Sequence, residues 1–170
     1  KLTDSSIVAR SIRPWYQWAL TSLVKRGNSK VIIGRDGWLF YRPGIDYIIK
    51  PKSVFDREFG PFPAIVSFHE SLRSQGIELI LLPIPDKATI YPEYISKRYD
   101  SNSVPPVNTY TFEFFNNLKN RGITIVDPTE VFWREKFNKT LYIPQDTHWS
   151  PEGMKIVANL LAEEIKERDW

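Results

Sequence analysis

Hydrophobic residues recur along the chain with two different spacings, which predict alternating helices and strands. Apolar positions three and four residues apart predict four amphipathic helices, at residues 5–25, 61–75, 107–121 and 151–168. Continuous apolar runs predict strands at Ile77–Leu82 and Ile123–Val126. The helix before each strand is followed by a glycine, Gly76 or Gly122, which is the usual residue at a helix end.

Shorter segments complete the prediction. Val31–Ile33 and Trp38–Tyr41 flank a turn-rich tetrapeptide, a pattern that indicates a β-hairpin. Residues 42–60 show no apolar period and are predicted to be irregular. Asp127 is predicted to cap a helix over residues 128–137, with a proline at its first helical position.

A strand, a helix and a second strand follow one another between residues 77 and 126. This order predicts a parallel pair with a right-handed crossover, and helices on both faces would give an α/β fold of the three-layer αβα sandwich type. Ligands of such sheets bind beyond the carboxyl ends of the strands, where Asp86 and Lys87 follow the first strand. These two residues are therefore candidates for substrate contact. The alternative interpretation is a local ion pair or a loop cap.

Composition narrows the possible classes of function. The 170 residues fit one domain, and 23 basic against 20 acidic residues, without a basic run, argue against nucleic acid as a partner. The absence of cysteine excludes disulfides and thiolate metal sites, and no apolar run approaches the roughly 18 residues of a membrane span. Aromatic residues make up 14% of the chain, which suits either a sugar-binding surface or an aromatic-rich core.

The strongest candidate for chemistry is the segment Asp146-Thr147-His148-Trp149, just before the last predicted helix. Side chains two residues apart in an extended segment lie on the same side, so Asp146 can orient the ring of His148 as a general base. Trp149 would then face the core. Ser150 would cap the helix through its hydroxyl, with proline at the first helical position.

Two other interpretations of this segment stay open. His148 could be a structural residue in front of a capped helix. Asp146 and His148 could also supply two metal ligands, but a catalytic zinc needs a third protein ligand. His69, the other histidine, lies on a different predicted face, as a surface or boundary residue of its helix. The residues alone therefore leave the acid–base pair and the structural histidine both open, and argue against a metal site.

Three segments together resemble one family. Asp146–Gly153 resembles the Asp-x-His-Trp block of the SGNH-hydrolase-like domain found in alginate O-acetyltransferases of the AlgJ and AlgX type. Ile33–Tyr41 is similar to the Gly-Trp-Leu-Phe entry motif of that domain, and Leu82–Glu93 is similar to its proline- and lysine-containing segment. The three blocks occur in the order typical of the family and span residues 33 to 153.

The resemblance implies an SGNH-hydrolase-like (flavodoxin-like) fold and acyl transfer through a serine ester, with no cofactor. In that reaction His148 would take the serine proton and later activate the acceptor, while Asp146 would orient His148. The implied acceptor is a hydroxyl of a cell-surface or secreted polysaccharide. A membrane-bound O-acyltransferase would relay the acetyl group, and the protein would work in the periplasm or at the cell surface. The residues expected to line the substrate site are Asp86, Lys87, Tyr91 and Trp149.

The sequence departs from the family pattern at the nucleophile. The family carries it after the Asp-x-His block, in a Gly-Asp-Ser-type turn, and no Gly-Asp-Ser occurs in residues 1–170. One explanation is a single domain cut before the segment that bears the nucleophile. The other is a non-catalytic carbohydrate-binding or assembly module with a degenerate site. A missing central strand would leave an exposed sheet edge, which proteins normally avoid, so we expect the first.

Overall fold

The structure, a computed structural model, describes residues 29–50, 60–99 and 103–168. The helix predicted over residues 5–25 lies outside the described residues. In chain order the elements are β1 (Val31–Ile33), β2 (Leu39–Tyr41), α1 (Arg42–Ile49), α2 (Pro61–Arg73), β3 (Ile80–Leu81), α3 (Lys87–Ile90), α4 (Thr111–Lys119), β4 (Thr124–Ile125), α5 (Thr129–Glu135) and α6 (Pro151–Lys166). None of these helices is long and apolar enough to cross a membrane.

The predicted hairpin is present. β1 and β2 pair antiparallel, with Ile32 opposite Phe40, around a short 3-10 turn. Asp36 and Gly37 in that turn have φ angles of 54° and 79°, a left-handed conformation in which glycine carries no strain. Phe40 is almost fully buried, so one face of β2 packs in the core.

The prediction of irregular structure after the hairpin is wrong for α1. Pro43 and Gly44 are unfavourable in most helix positions and argued against a helix here, but the structure accommodates both. Proline lies in the first turn, where its missing N–H breaks no intrahelical bond. Gly44 lets the helix approach α3, because a Cβ there would lie 2.1 Å from Oδ2 of Asp86. Ile45 on the same helix is buried in the core.

β3 and β4 form the predicted parallel pair, with Ile80 opposite Thr124 and Leu81 opposite Ile125. Both strands are shorter than predicted, since only these residues pair with a neighbouring strand in the described part of the chain. α2 and α4 pack beside this pair around buried Val66, Leu118 and Ile123, with Phe62 and Phe114 at the border. The strand, helix, strand unit predicted from the sequence is therefore confirmed.

A larger core joins the hairpin to α3, α5 and α6. It consists of apolar residues that are at least nine-tenths buried: Trp38, Phe40, Ile45, Ala88, Ile90, Tyr91, Phe132, Leu141, Tyr142 and Val157. Five of these core residues are aromatic, which is the role that the core interpretation of the composition gives to aromatic side chains. The segment between α5 and α6, which carries Asp146 and His148, lies on the edge of this core.

Candidate active site

Asp146 and His148 are hydrogen-bonded through their side chains. Nδ1 of His148 lies 2.7 Å from Oδ1 of Asp146. An ionised carboxylate only accepts hydrogen bonds, so Nδ1 carries a proton, and in the neutral imidazole Nε2 keeps a free lone pair. The side chain of His148 is 76% exposed and that of Asp146 is 49% exposed. The imidazole therefore faces solvent as a base whose tautomer is set by the carboxylate.

The contact is made in a turn and not in the extended segment that the sequence predicted. Oδ1 of Asp146 also accepts the main-chain N–H groups of Thr147, at 2.6 Å, and of His148, at 3.2 Å. The chain thus folds around the carboxylate. The hydrogen bond from the His148 ring, with the two main-chain N–H groups, holds the pKa of Asp146 below its ordinary value. Asp146 is consequently ionised at neutral pH.

A ladder of main-chain hydrogen bonds fixes the stem of this turn. Tyr142 and Trp149 form an antiparallel bridge, and the N–H of Ile143 donates to the oxygen of His148 at 3.1 Å. The N–H of Ser150 donates to the oxygen of Leu141 at 2.8 Å. We call residues 143–148, which this stem closes, the dyad loop.

Ser150 caps α6, as predicted. Its hydroxyl accepts the N–H of Gly153 at 3.2 Å and donates to the main-chain oxygen of Thr140 at 2.5 Å. Gly153 is required beneath the loop, because a Cβ there would lie 2.8 Å from the oxygen of Leu141. The Ser150 hydroxyl is therefore committed to the helix end and is not oriented for nucleophilic attack.

Lys87 lies in the interior, against the dyad loop. Only 3% of the residue is exposed, and Nζ donates to the main-chain oxygens of Leu39, Ile143, Pro144 and Asp146 at 2.8, 2.7, 2.7 and 3.0 Å. Burial lowers the pKa of Lys87 to about 8, while the carboxylates of Asp146 and Asp86 act in the opposite direction. This geometry favours support of the loop over the substrate contact predicted from the sequence.

The other three predicted lining residues make structural contacts near the loop. Asp86 caps α3 by accepting the N–H of Ala88 at 2.8 Å, and burial raises its pKa. The hydroxyl of Tyr91 accepts the N–H of Leu141 at 2.9 Å and donates to the oxygen of Lys139 at 3.3 Å. Trp149 is half-buried and packs against the larger core. Lys87 and Tyr91 are buried, whereas Trp149, next to His148 in the chain, keeps a partly exposed surface.

Sequence reasoning missed Tyr142. Its hydroxyl donates to the main-chain oxygen of Pro85, which joins the stem of the dyad loop to the segment after β3. Burial raises the pKa of Tyr142, so the phenol stays protonated and keeps donating. The signal was a tyrosine in a short extended piece before the dyad, but nothing in the sequence identified its acceptor.

A separate cavity of about 410 Å³ lies away from the dyad loop, with which it shares no lining residue. His69, Arg73, Glu78, Thr124 and Arg168 are among its walls. The prediction of His69 as a surface or boundary residue is wrong: it is 7% exposed, in a cavity wall that it shares with residues next to β3 and β4. No group of three or more potential metal ligands occurs within residues 29–50, 60–99 and 103–168.

The sequence model of the family described as "SGNH hydrolase-like domain, acetyltransferase AlgX" matches residues 31–170. The chain therefore belongs to this family, and the fold is α/β of the SGNH-hydrolase-like type, as the sequence blocks predicted. The match begins at β1 and includes the hairpin, the parallel pair and the dyad loop.

Among curated relatives, the "Probable alginate O-acetylase AlgJ" of Pseudomonas aeruginosa is 31% identical over 146 residues, which cover 86% of this chain and 36% of that protein. The protein of the same name from Azotobacter vinelandii is 26% identical, over 85% of this chain and 36% of its own length. "Alginate biosynthesis protein AlgX" of Pseudomonas syringae pv. tomato is 23% identical over 94% of this chain and 30% of its own length. The chain thus spans about a third of the length of these relatives.

Two solved structures share the fold. The "O-Acetyltransferase Domain of Pseudomonas putida AlgJ" superimposes with a TM-score of 0.63 at 25% identity, covering 81% of this chain and 47% of that one. Bacillus cereus PatB1, solved with a sulfonyl adduct, gives a TM-score of 0.58 at 18% identity, covering 82% of this chain and 44% of that one. The second likeness concerns the fold alone.

Proposed function

We propose that this chain supplies the orienting acid and the general base of serine-dependent O-acetyl transfer to a polysaccharide. The observation that carries the proposal is the 2.7 Å hydrogen bond between Asp146 and His148, made by an imidazole that is otherwise exposed. Family membership and the names of the alginate O-acetylase relatives support this reaction class. Alginate is the first acceptor to test for the same reason.

The reaction has two half-reactions that use one base. In the first, Nε2 of His148 takes the proton of a serine hydroxyl while the serine oxygen attacks the acetyl carbonyl, and the departing donor group takes that proton. In the second, Nε2 takes the proton of a sugar hydroxyl, the sugar oxygen attacks the acetyl-serine ester, and the serine oxygen regains the proton. Asp146 stabilises the imidazolium that forms each time.

The nucleophile in this proposal is a serine other than Ser150, whose hydroxyl caps α6. It would be presented to His148 by a part of the protein that the described residues do not include. The acetyl group would arrive by relay from a membrane-bound O-acyltransferase, in the periplasm or at the cell surface. Water in place of the sugar would turn the same machinery into an acetylesterase, because transfer and hydrolysis share the dyad.

A non-catalytic carbohydrate-binding or assembly module is the second candidate. The observation that favours it is the commitment of Ser150, the serine beside the dyad, to a helix cap. Such a module would bind a polysaccharide with measurable heat or a change in tryptophan fluorescence, and would neither take up nor release acetyl groups.

The test compares His148→Ala with Gln145→Ala in the protein as isolated from its source. Gln145 is an exposed residue of the same loop, so its truncation controls for general disturbance of the loop. Acetyl transfer from p-nitrophenyl acetate to alginate oligomers should be lost in His148→Ala and retained in Gln145→Ala. Equal activity in both variants would refute the assignment of His148. Glycan binding without any acetyl transfer in the unaltered protein would favour the module.

A further inference from the structure

Lys87 places a buried positive charge against the dyad loop. We propose that Lys87 is a positioning residue, whose ammonium group fixes the main chain of the dyad loop and thereby the orientation of the Asp146 carboxylate toward the His148 ring. The expected effect on kcat rests on the function proposed above. The expected effect on which nitrogen of the His148 ring carries the proton does not.

The acceptors of Lys87 show what it holds together. Three of the four lie in the dyad loop, at Ile143, Pro144 and Asp146. The fourth is the oxygen of Leu39 in β2, whose own N–H donates to the oxygen of Pro144 at 2.8 Å. Lys87 therefore ties the loop to the hairpin at the point where the two meet.

Lys87 is itself held in place from its own side. It is the first residue of α3, whose N-terminus is capped by Asp86, and Asp86 packs against Gly44 of α1. The ammonium lies 4.7 Å from the ring centroid of Trp38 and 5.2 Å from that of Phe40, within the range of favourable cation–π contact. The donor is thus fixed before it meets the loop.

The charge matters as well as the hydrogen bonds. An ammonium group offers three hydrogens to four oxygens, so at least one hydrogen is shared and none is left for a ligand. The positive charge also lies near the carboxylates of Asp146 and Asp86. A side chain without donors at this position would remove one hydrogen bond from each of the four carbonyl groups. The oxygens of Ile143 and Pro144 would keep the N–H groups of Asp146 and Leu39 as donors, but the loop would relax to replace the lost contacts with water.

The variant that tests the proposal is Lys87→Met, which keeps the length of the side chain and removes its donors. Lys136→Met is the matched control. Lys136 is also buried, at 7% exposure, over the ring of Trp133, but it donates to Ile90 and Glu93 and to no residue of the dyad loop. Both variants remove one interior lysine charge, and only the first removes support from the dyad.

Two readouts separate positioning from general stability. The ring ¹⁵N shifts of His148 report which nitrogen carries the proton, and in Lys87→Met they should move from a single Nδ1–H tautomer toward a mixture of tautomers. The kcat for acetyl transfer should fall by roughly 10²-fold with little change in KM, the size expected for a displaced catalytic group. Lys136→Met should keep the tautomer and the kcat of the unaltered protein.

A folded Lys87→Met protein with the original His148 shifts would overturn the proposal, whatever its activity. If the shifts change but acetyl transfer does not depend on His148 at all, the positioning holds and the proposed function fails. If Lys87→Met does not fold, the unaltered protein is titrated from pH 7 to 10 with Lys87 Nζ and the His148 ring observed together. His148 resonances that stay constant while Nζ loses its proton would overturn the proposal equally.

Discussion

The Nζ atom of Lys87 lies 3.0 Å from the main-chain oxygen of Asp146, while the carboxylate of the same aspartate holds the imidazole of His148. The main chain of Asp146 is thus held by a buried lysine, while the side chain of Asp146 orients the exposed imidazole of His148. The side chains of Asp146 and His148 are 49% and 76% exposed. Without support from the interior, such an exposed pair would hold its geometry only weakly, because exposed charged pairs contribute little free energy on their own.

Asp146→Asn should separate orientation from folding. In the aspartate one oxygen, Oδ1, meets the N–H groups of Thr147 and His148 and Nδ1 of the ring. The asparagine amide either keeps its oxygen there or turns to donate its NH₂ group to Nδ1, which favours the wrong tautomer; in both cases the negative charge that stabilises the imidazolium is lost. By analogy with a serine–histidine–aspartate triad, kcat should fall by roughly 10³–10⁴-fold. Thermal unfolding should change little, because the side chain is half exposed. An Asp146→Asn protein with near-normal kcat would show that the carboxylate is dispensable.

Ser150→Ala should cost stability and spare most of the chemistry. Alanine removes the cap on Gly153 and the donor to the Thr140 oxygen, which should lower the free energy of unfolding by about 1–2 kcal/mol in denaturant titrations. Acetyl transfer should persist under conditions where the variant is folded. Loss of activity as complete as in His148→Ala, at unchanged stability, would instead make Ser150 the nucleophile.

Gly44→Ala should lower the free energy of unfolding by disturbing Asp86, which caps the helix that begins at Lys87. The new Cβ would lie 2.1 Å from Oδ2 of Asp86, so the cap of α3 must shift, at a cost of about 1–3 kcal/mol in free energy of unfolding. This exceeds the gain in helix propensity of up to about 1 kcal/mol. A double-mutant cycle with Asp86→Ala checks the cause: the Gly44→Ala cost should shrink when the Asp86 carboxylate is absent.

Lys87 should also give the protein a measurable pH dependence. Burial lowers its pKa to about 8 from an ordinary 10.5, so between these values the unfolded chain binds more protons than the folded chain. The Lys87 contribution to the free energy of unfolding is therefore lowest below pH 8 and rises as the pH increases through this window. The difference in free energy of unfolding between the unaltered protein and Lys87→Met should follow that rise. A constant difference would contradict the lowered pKa.

Local patterns were sufficient to predict the hairpin, the parallel pair and the Ser150 cap from the sequence. The hairpin and the cap depend on residues close together in the chain, such as the glycines of the first turn or the serine and proline that open α6. The parallel pair joins residues 44 positions apart and was predictable from the order of strand, helix and strand. The dyad itself was predictable because its two members are two residues apart. Its geometry was not, since the Asp146 carboxylate folds the backbone into a turn.

What the sequence could not show depends on contacts between distant segments. α1 was missed because its glycine fits against Asp86, which lies 42 residues further along the chain. Lys87 was a candidate for substrate contact because it follows a strand, with a local ion pair or loop cap as the alternative. Its acceptors are main-chain oxygens 48 to 59 residues away. Backbone acceptors carry no side-chain signature, so no motif points to them.

The most direct test of the central claim is covalent trapping of the nucleophile that His148 activates. The protein isolated from its source is treated with phenylmethylsulfonyl fluoride, and intact mass and peptide mapping locate any adduct. We expect one sulfonyl group on a serine other than Ser150 in the unaltered protein and in Gln145→Ala, and none in His148→Ala. No adduct in the unaltered protein, or equal labelling of His148→Ala, would contradict the claim that Asp146 and His148 form the acid–base pair of a serine acetyltransferase.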